Sequence, residues 1–168
     1  MAMKMMLSIL ASLFSFSFMG DDVDNSTVES LDVHRFMGKW YEIARFDHSF
    51  ERGLTHTTAY YSLKNDGSIA VKNSGLKDGR QKTTVGKAKM TDTAGLLRVS
   101  FFGPFYSDYR VMMVSADYKY AIIGSKNSKY LWILSRTPGI PSADLEKIQS
   151  FITSRGYNLK DLIWVDHT

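Results

Sequence analysis

Between Lys39 and Arg136 the sequence breaks into eight short runs of alternating apolar and polar residues, each closed by turn chemistry. Asn65-Asp66-Gly67 and Asp78-Gly79 are tight-turn signals because Asp-Gly tolerates positive φ, and Gly103-Pro104 stops a run because proline has no ladder donor. The strands read from this pattern are 39–46, 56–63, 68–75, 82–90, 96–102, 109–115, 120–124 and 130–136. Consecutive short strands joined by short loops must deal with their sheet edges, and closing the sheet on itself removes both. The expected fold is therefore all-β: an eight-stranded up-and-down antiparallel β-barrel enclosing a pocket for one small ligand.

The flanks have different periods. Residues 1–20 read as an export leader, with Lys4 as the positive region and Met5 to Met19 as an apolar core too short for a confident membrane span. Residues 21–30 are polar and acidic and read as a flexible tether, so the barrel domain is expected over 31–168. Leu31 to Phe36 fits a helical turn that plugs one barrel end. After the connector Thr137 to Pro141, Ser142 fits a helix cap, and Leu145, Ile148, Gln149 and Ile152 share one helical face. Gly156 ends that helix, with Arg155 in its last turn. An apolar stripe whose opposite side is not notably basic predicts packing against the outside of the barrel. Leu162 to Val165 forms a last short strand or docking segment.

Composition serves mainly to exclude. A formal charge of +4 with no Lys/Arg block gives no nucleic-acid footprint, while leaving membrane association open. Cysteine is absent, which rules out disulfides and thiolate metal sites in this chain. Asp21 follows Phe18-Met19-Gly20 where a bacterial lipoprotein leader carries its acylated cysteine, so release without an anchor and descent from a lipidated parent both stay open. The expected location is the periplasm or outer membrane, with secretion second. His34, His48, His56 and His167 lack metal-ligand spacing, no G-x-S-x-G elbow or phosphate loop occurs, and no enzyme, metal or cofactor is expected.

Gly38 to Gly53, GKWYEIARFDHSFERG, resembles the first signature of the lipocalin family, particularly its bacterial outer-membrane and apolipoprotein D-like members. Asp117-Tyr118 before Tyr120 to Ile123 resembles the second signature, Leu131 to Pro138 the third, and Phe101 to Tyr106 a segment of the bacterial branch. The resemblance covers essentially 31–165. It implies a structural barrel floor of Gly38, Trp40, Asp117, Tyr118 and Arg136, the guanidinium of Arg136 stacking on the Trp40 indole with its donors on backbone carbonyls.

Counting by twos from Trp40 and back from Arg136 gives the expected cavity lining: Ala44 and Phe46; Ala59 and Tyr61, with Leu63; Ile69 and Val71; Ala88 and Met90; Leu97, Val99 and Phe101; Val111 and Met113; Tyr130 and Trp132, with Leu134. Glu42 is the polar exception, expected as a carboxylate satisfied near the floor. A bulge would flip the parity beyond it. The resemblance implies binding of a fatty acid or lysophospholipid for envelope storage or transport. A barrel filled by its own side chains, and a carrier of haem, retinoid or pigment, stay open, as does oligomeric state, a dimer included.

Overall fold

The structure is a computed structural model describing residues 23–168, so the expected leader and Asp21 lie outside the described residues. Among the described residues, β1 (Gly38–Phe46), β2 (Thr55–Leu63), β3 (Ile69–Lys77), β4 (Arg80–Met90), β5 (Leu96–Phe102), β6 (Phe105–Val114), β7 (Tyr120–Gly124) and β8 (Leu131–Ser135) are antiparallel neighbours in chain order. Pairing of β1 with both β2 and β8 closes the expected eight-stranded barrel. A short β9 (Leu162–Trp164) pairs with Ala44 to Phe46, along the part of β1 beyond its pairing with β2.

Local chemistry explains the turns. Asp78 and Gly79 both have positive φ, 51° and 69°, the backbone that joins β3 to β4 in a two-residue hairpin. Gly103-Pro104 makes a second such hairpin, with Phe102 opposite Phe105, so β6 starts four residues before its expected beginning at Tyr109. Proline turns the chain there without keeping the next residue from pairing.

Two bulges matter more. Pairing slips between Glu42 and Ala44 in β1 and between Val111 and Met113 in β6. Each inserts one residue and reverses the inside–outside alternation beyond it. Ala44, Phe46 and Met113, expected in the cavity, therefore face outward. There they join Met112, Ile122 and Ile133 in a layer against Ile148 and Ile152 of α2 (Ser142–Ser154). The helix packs on the outside of the barrel as its stripe predicts. Its start differs from expectation: Pro141 occupies the cap position, Ser142 is already helical, and no side chain caps the end.

Residues 23–30 also differ from a flexible tether. Val28 N–H donates to Val111 O at 2.9 Å, and Asn25 Nδ2 donates to Ser125 O at 3.0 Å. Arg155, at the end of α2, reaches back to the Asp24 carboxylate at 2.9 Å and the Ser26 hydroxyl at 2.6 Å. A terminus tied at several points is ordered by those bonds, and polarity alone could not reveal them.

Candidate ligand-binding site

The barrel interior has two halves. At the closed end, α1 (Val33–Phe36) inserts Phe36 beneath Trp40, their ring centroids 5.1 Å apart. Trp40 Nε1 donates to Phe36 O at 2.8 Å, satisfying the polar atom of a fully buried indole. The Arg136 guanidinium lies 3.7 Å from the Trp40 ring centroid and donates to Lys39 O at 2.8 Å, Arg35 O at 2.6 Å and Tyr118 O at 3.3 Å. Gly38 has φ 91°, and a Cβ there would stand 3.4 Å from Arg136 Nη1. Tyr118, at φ 57°, accepts from Asp32 N–H and carries Arg35 over its ring, while Asp117 accepts from Ser115 Oγ at 2.7 Å. The floor residues thus meet, with Asp117 ordering the turn beside them.

Above Trp40 the parity set divides. Ile69, Ala88, Leu97 and Val111 pack with Trp40 and Phe36 into a filled lower core. Ala59, Tyr61, Val71, Val99, Phe101 and Trp132 border a cavity of about 450 Å³ that opens at the other end. Met90, expected in the lining, is half exposed at the closed-end terminus of β4 and does not border the cavity. Tyr130 does not border it either; it precedes β8 and stacks on Trp132 with centroids 5.9 Å apart. The parity rule picks the face of a strand but not the height at which packing gives way to space.

A polar cluster sits where the β1–β2 loop folds over the cavity. The bulge after Glu42 turns Arg45 inward, and its Nη1 lies 2.7 Å from Glu42 Oε1. Arg45 Nη2 donates to the loop carbonyls of Glu51 at 2.8 Å and Leu54 at 3.1 Å, fastening the loop to the strand. Glu51 Oε2 lies 2.6 Å from His48 Nε2 and accepts from Trp132 Nε1 at 3.0 Å. Burial, followed by the charge of Glu51, pushes the Glu42 carboxyl up to about 8, against the pull of Arg45. Burial also works to raise Glu51, but His48 and the Trp132 donor outweigh it and hold that carboxyl low. Burial thus favours the neutral form of Glu42 while its partners favour the ionised form of Glu51, the two carboxyls titrating as one coupled pair.

Lower on the same wall, the Tyr61 and Tyr109 hydroxyls meet at 2.9 Å, and burial pushes both well above their ordinary values. Thr57 Oγ1 and Asn73 Oδ1 are buried without a hydrogen-bond partner among the described residues, and both residues border the cavity. Sequence reasoning missed Glu51, Leu54, Thr57 and Asn73. One signal was present: Glu42 and Arg45 stand in EIARF, where two charges interrupt an apolar run that does not alternate.

A closed eight-stranded barrel with an arginine-sealed floor, an apolar cavity and an external C-terminal helix defines a small-molecule binding barrel of the lipocalin type. The sequence comparisons agree: residues 31–167 match the family model described as a lipocalin-like domain, and the chain belongs to the lipocalin family. It is 40% identical over 168 residues to the outer membrane lipoprotein Blc of Vibrio cholerae, covering 97% of this chain and 98% of that protein. Apolipoprotein D of Mus musculus is 30% identical over 180 residues, covering 98% and 94% respectively. Among solved structures, insecticyanin from Manduca sexta superposes with a TM-score of 0.72 at 24% identity, over 89% of this chain and 87% of that one, a likeness of fold. Lipocalins are generally binding proteins for small hydrophobic molecules rather than enzymes.

Proposed function

We propose that this protein binds one fatty-acid or lysophospholipid molecule per barrel and stores or carries it in the cell envelope, with residues 1–20 serving as the export leader. The observation that supports this reading most is the division of the interior. A side-chain-filled barrel would continue the packing of Ile69 and Leu97 upward, whereas the upper half holds about 450 Å³ of space. That volume falls within the range of about 300–1,000 Å³ typical of ligand pockets.

The chemistry of the wall favours an amphiphile over a plain hydrocarbon. Val71, Val99, Phe101 and Trp132 offer apolar surface, while Thr57 Oγ1, Asn73 Oδ1 and the Glu42 carboxyl offer hydrogen-bonding atoms to a carboxyl, ester or hydroxyl. Burying about sixteen methylenes at about 0.8 kcal/mol each yields about 12 to 13 kcal/mol gross. Association costs of about 4 to 15 kcal/mol reduce this to a reversible affinity, as a carrier requires. The envelope location draws its support from relatives named outer membrane lipoproteins.

Native mass spectrometry of protein purified from the envelope fraction, with chemical extraction of what it carries, tests this reading. One long-chain acyl lipid per cavity is expected. Empty protein that takes up no lysophospholipid or fatty acid on titration would contradict it.

A further inference from the structure

The cavity is not closed evenly around its rim. β4 pairs with β5 only from Lys87 to Met90, so among the described residues Arg80 to Gly86 have β3 on one side and no strand on the other. The cavity is bordered by Lys82 and Thr84 on one side of this notch and by Phe101, Phe102 and Phe105 on the other. At its base, Gly86 leaves room that a Cβ would deny: the Phe101 ring and Ser100 O stand 2.6 Å from where that atom would be. Phe101 and Phe102 also border a shallow groove on the outer surface beside Val85 and Lys87, so the two aromatics separate the interior from the outside.

What surrounds the notch is unusual for a surface facing only water. Phe102 is 80% exposed, Phe105 71% and Val85 68%. β4 carries Arg80, Lys82, Lys87 and Lys89, all exposed, and no carboxylate. The single carboxylate of β5 and β6, Asp108, is neutralised by Arg98 at 2.6 Å and Arg110 at 3.0 Å. Lys87 and Lys89 lie over the Tyr106 ring, at 5.8 and 4.5 Å, with no carboxylate partner among the described residues. Exposed aromatics flanked by such cations match the two layers of an anionic membrane surface, apolar acyl boundary and phosphate headgroups.

We propose that the β4 edge and the β5–β6 hairpin dock on an anionic lipid bilayer, and that the acyl ligand passes between membrane and cavity through the notch, over Phe101 and Phe102. The inference rests on the carrier reading and names the membrane as the place of exchange. Docked this way, Phe102, Phe105 and Val85 enter the interface, Lys87 and Lys89 meet phosphates, and the acyl chain avoids crossing water.

Vesicle flotation tests the docking, using the full chain with vesicles of phosphatidylethanolamine plus phosphatidylglycerol against vesicles of phosphatidylcholine alone. Binding is expected on the anionic vesicles, weakened by salt as surface charge pairing is. Both Phe102→Ser/Phe105→Ser and Lys87→Glu/Lys89→Glu should lower it by about tenfold or more. Calorimetric titration of the Lys87→Glu/Lys89→Glu variant, whose altered side chains do not border the cavity, with dilute lysophospholipid separates the two readings. Intact ligand uptake with vesicle binding lost in Lys87→Glu/Lys89→Glu supports the docking surface. Intact uptake with no vesicle binding by the unaltered chain overturns the docking while sparing the carrier reading, and absent uptake overturns the carrier reading itself. A self-associated chain that Phe102→Ser/Phe105→Ser makes monomeric, without any vesicle binding, would assign the surface to a second copy and also overturn the docking.

Discussion

The two ends of the barrel are built from the same eight strands to opposite specifications. At the closed end the large side chains of the floor are packed and bonded: Trp40 is wedged between Phe36 and Arg136, its N–H is bonded, and three carbonyls engage the guanidinium. At the open end the apolar wall borders space, and ionisable groups crowd beneath the β1–β2 loop. Dense packing resists any change of volume, whereas an unfilled wall accepts one. The contrast suggests that the floor provides stability while the mouth, freed from that task, holds the ligand.

Substitutions at the two ends should separate these roles. The largest loss is expected for Trp40→Ala, about 3 to 5 kcal/mol of unfolding free energy, as for large aromatic truncations in packed cores. Denaturant melts check it, and an unchanged midpoint would remove Trp40 from the floor. Arg136→Met should cost less, about 1 to 3 kcal/mol, because it leaves the carbonyls of Lys39, Arg35 and Tyr118 to find water at a partly exposed rim. Thermal melts of that variant should fall between Trp40→Ala and the unaltered chain.

A smaller effect is expected from the mouth and depends on pH. The folded chain keeps a proton on Glu42 up to about pH 8, while the unfolded chain releases it near 4.5. Between these values the folded state binds more protons, so this group makes stability fall as pH rises. Glu51, held low, exerts its opposite effect below that window. Glu42→Gln should therefore flatten the decline in melting temperature between pH 5 and 8, and an unaltered slope would show that Glu42 is ionised in the folded chain.

Much of this architecture was legible in the sequence because its determinants are local. Asp-Gly turns, alternating strands and the GKWYEIARF stretch fix the strand order, and the Trp40–Arg136 floor came from a motif-level resemblance. The lining was less legible because bulges are set by pairing between distant strands. The slip at Glu42/Ala44 moved Ala44 and Phe46 under the helix and brought Arg45 inward, and the slip at Val111/Met113 did the same to Met113. Nor does alternation record height along a strand, so Ile69, Ala88, Leu97 and Val111 share a face with cavity residues yet belong to the filled lower core. The bonds of residues 24–28 were illegible for a related reason: their partners Val111, Ser125 and Arg155 lie far along the chain.

The carrier reading requires the upper half of the barrel to be open for a ligand. Val99→Trp probes it directly, since Val99 borders the cavity on one side and pairs with Ala88 of the packed core on the other. Isothermal titration with a long-chain lysophospholipid, paired with thermal melts, should show saturable binding by the unaltered chain. In the variant, affinity should fall tenfold or more, by an estimate of about 1.4 kcal/mol or more, while stability changes by less than the roughly 1 to 3 kcal/mol of overpacking a filled core. The contradicting result is no saturable binding by the unaltered chain together with a large loss of stability on Val99→Trp, which would mean that the interior is filled.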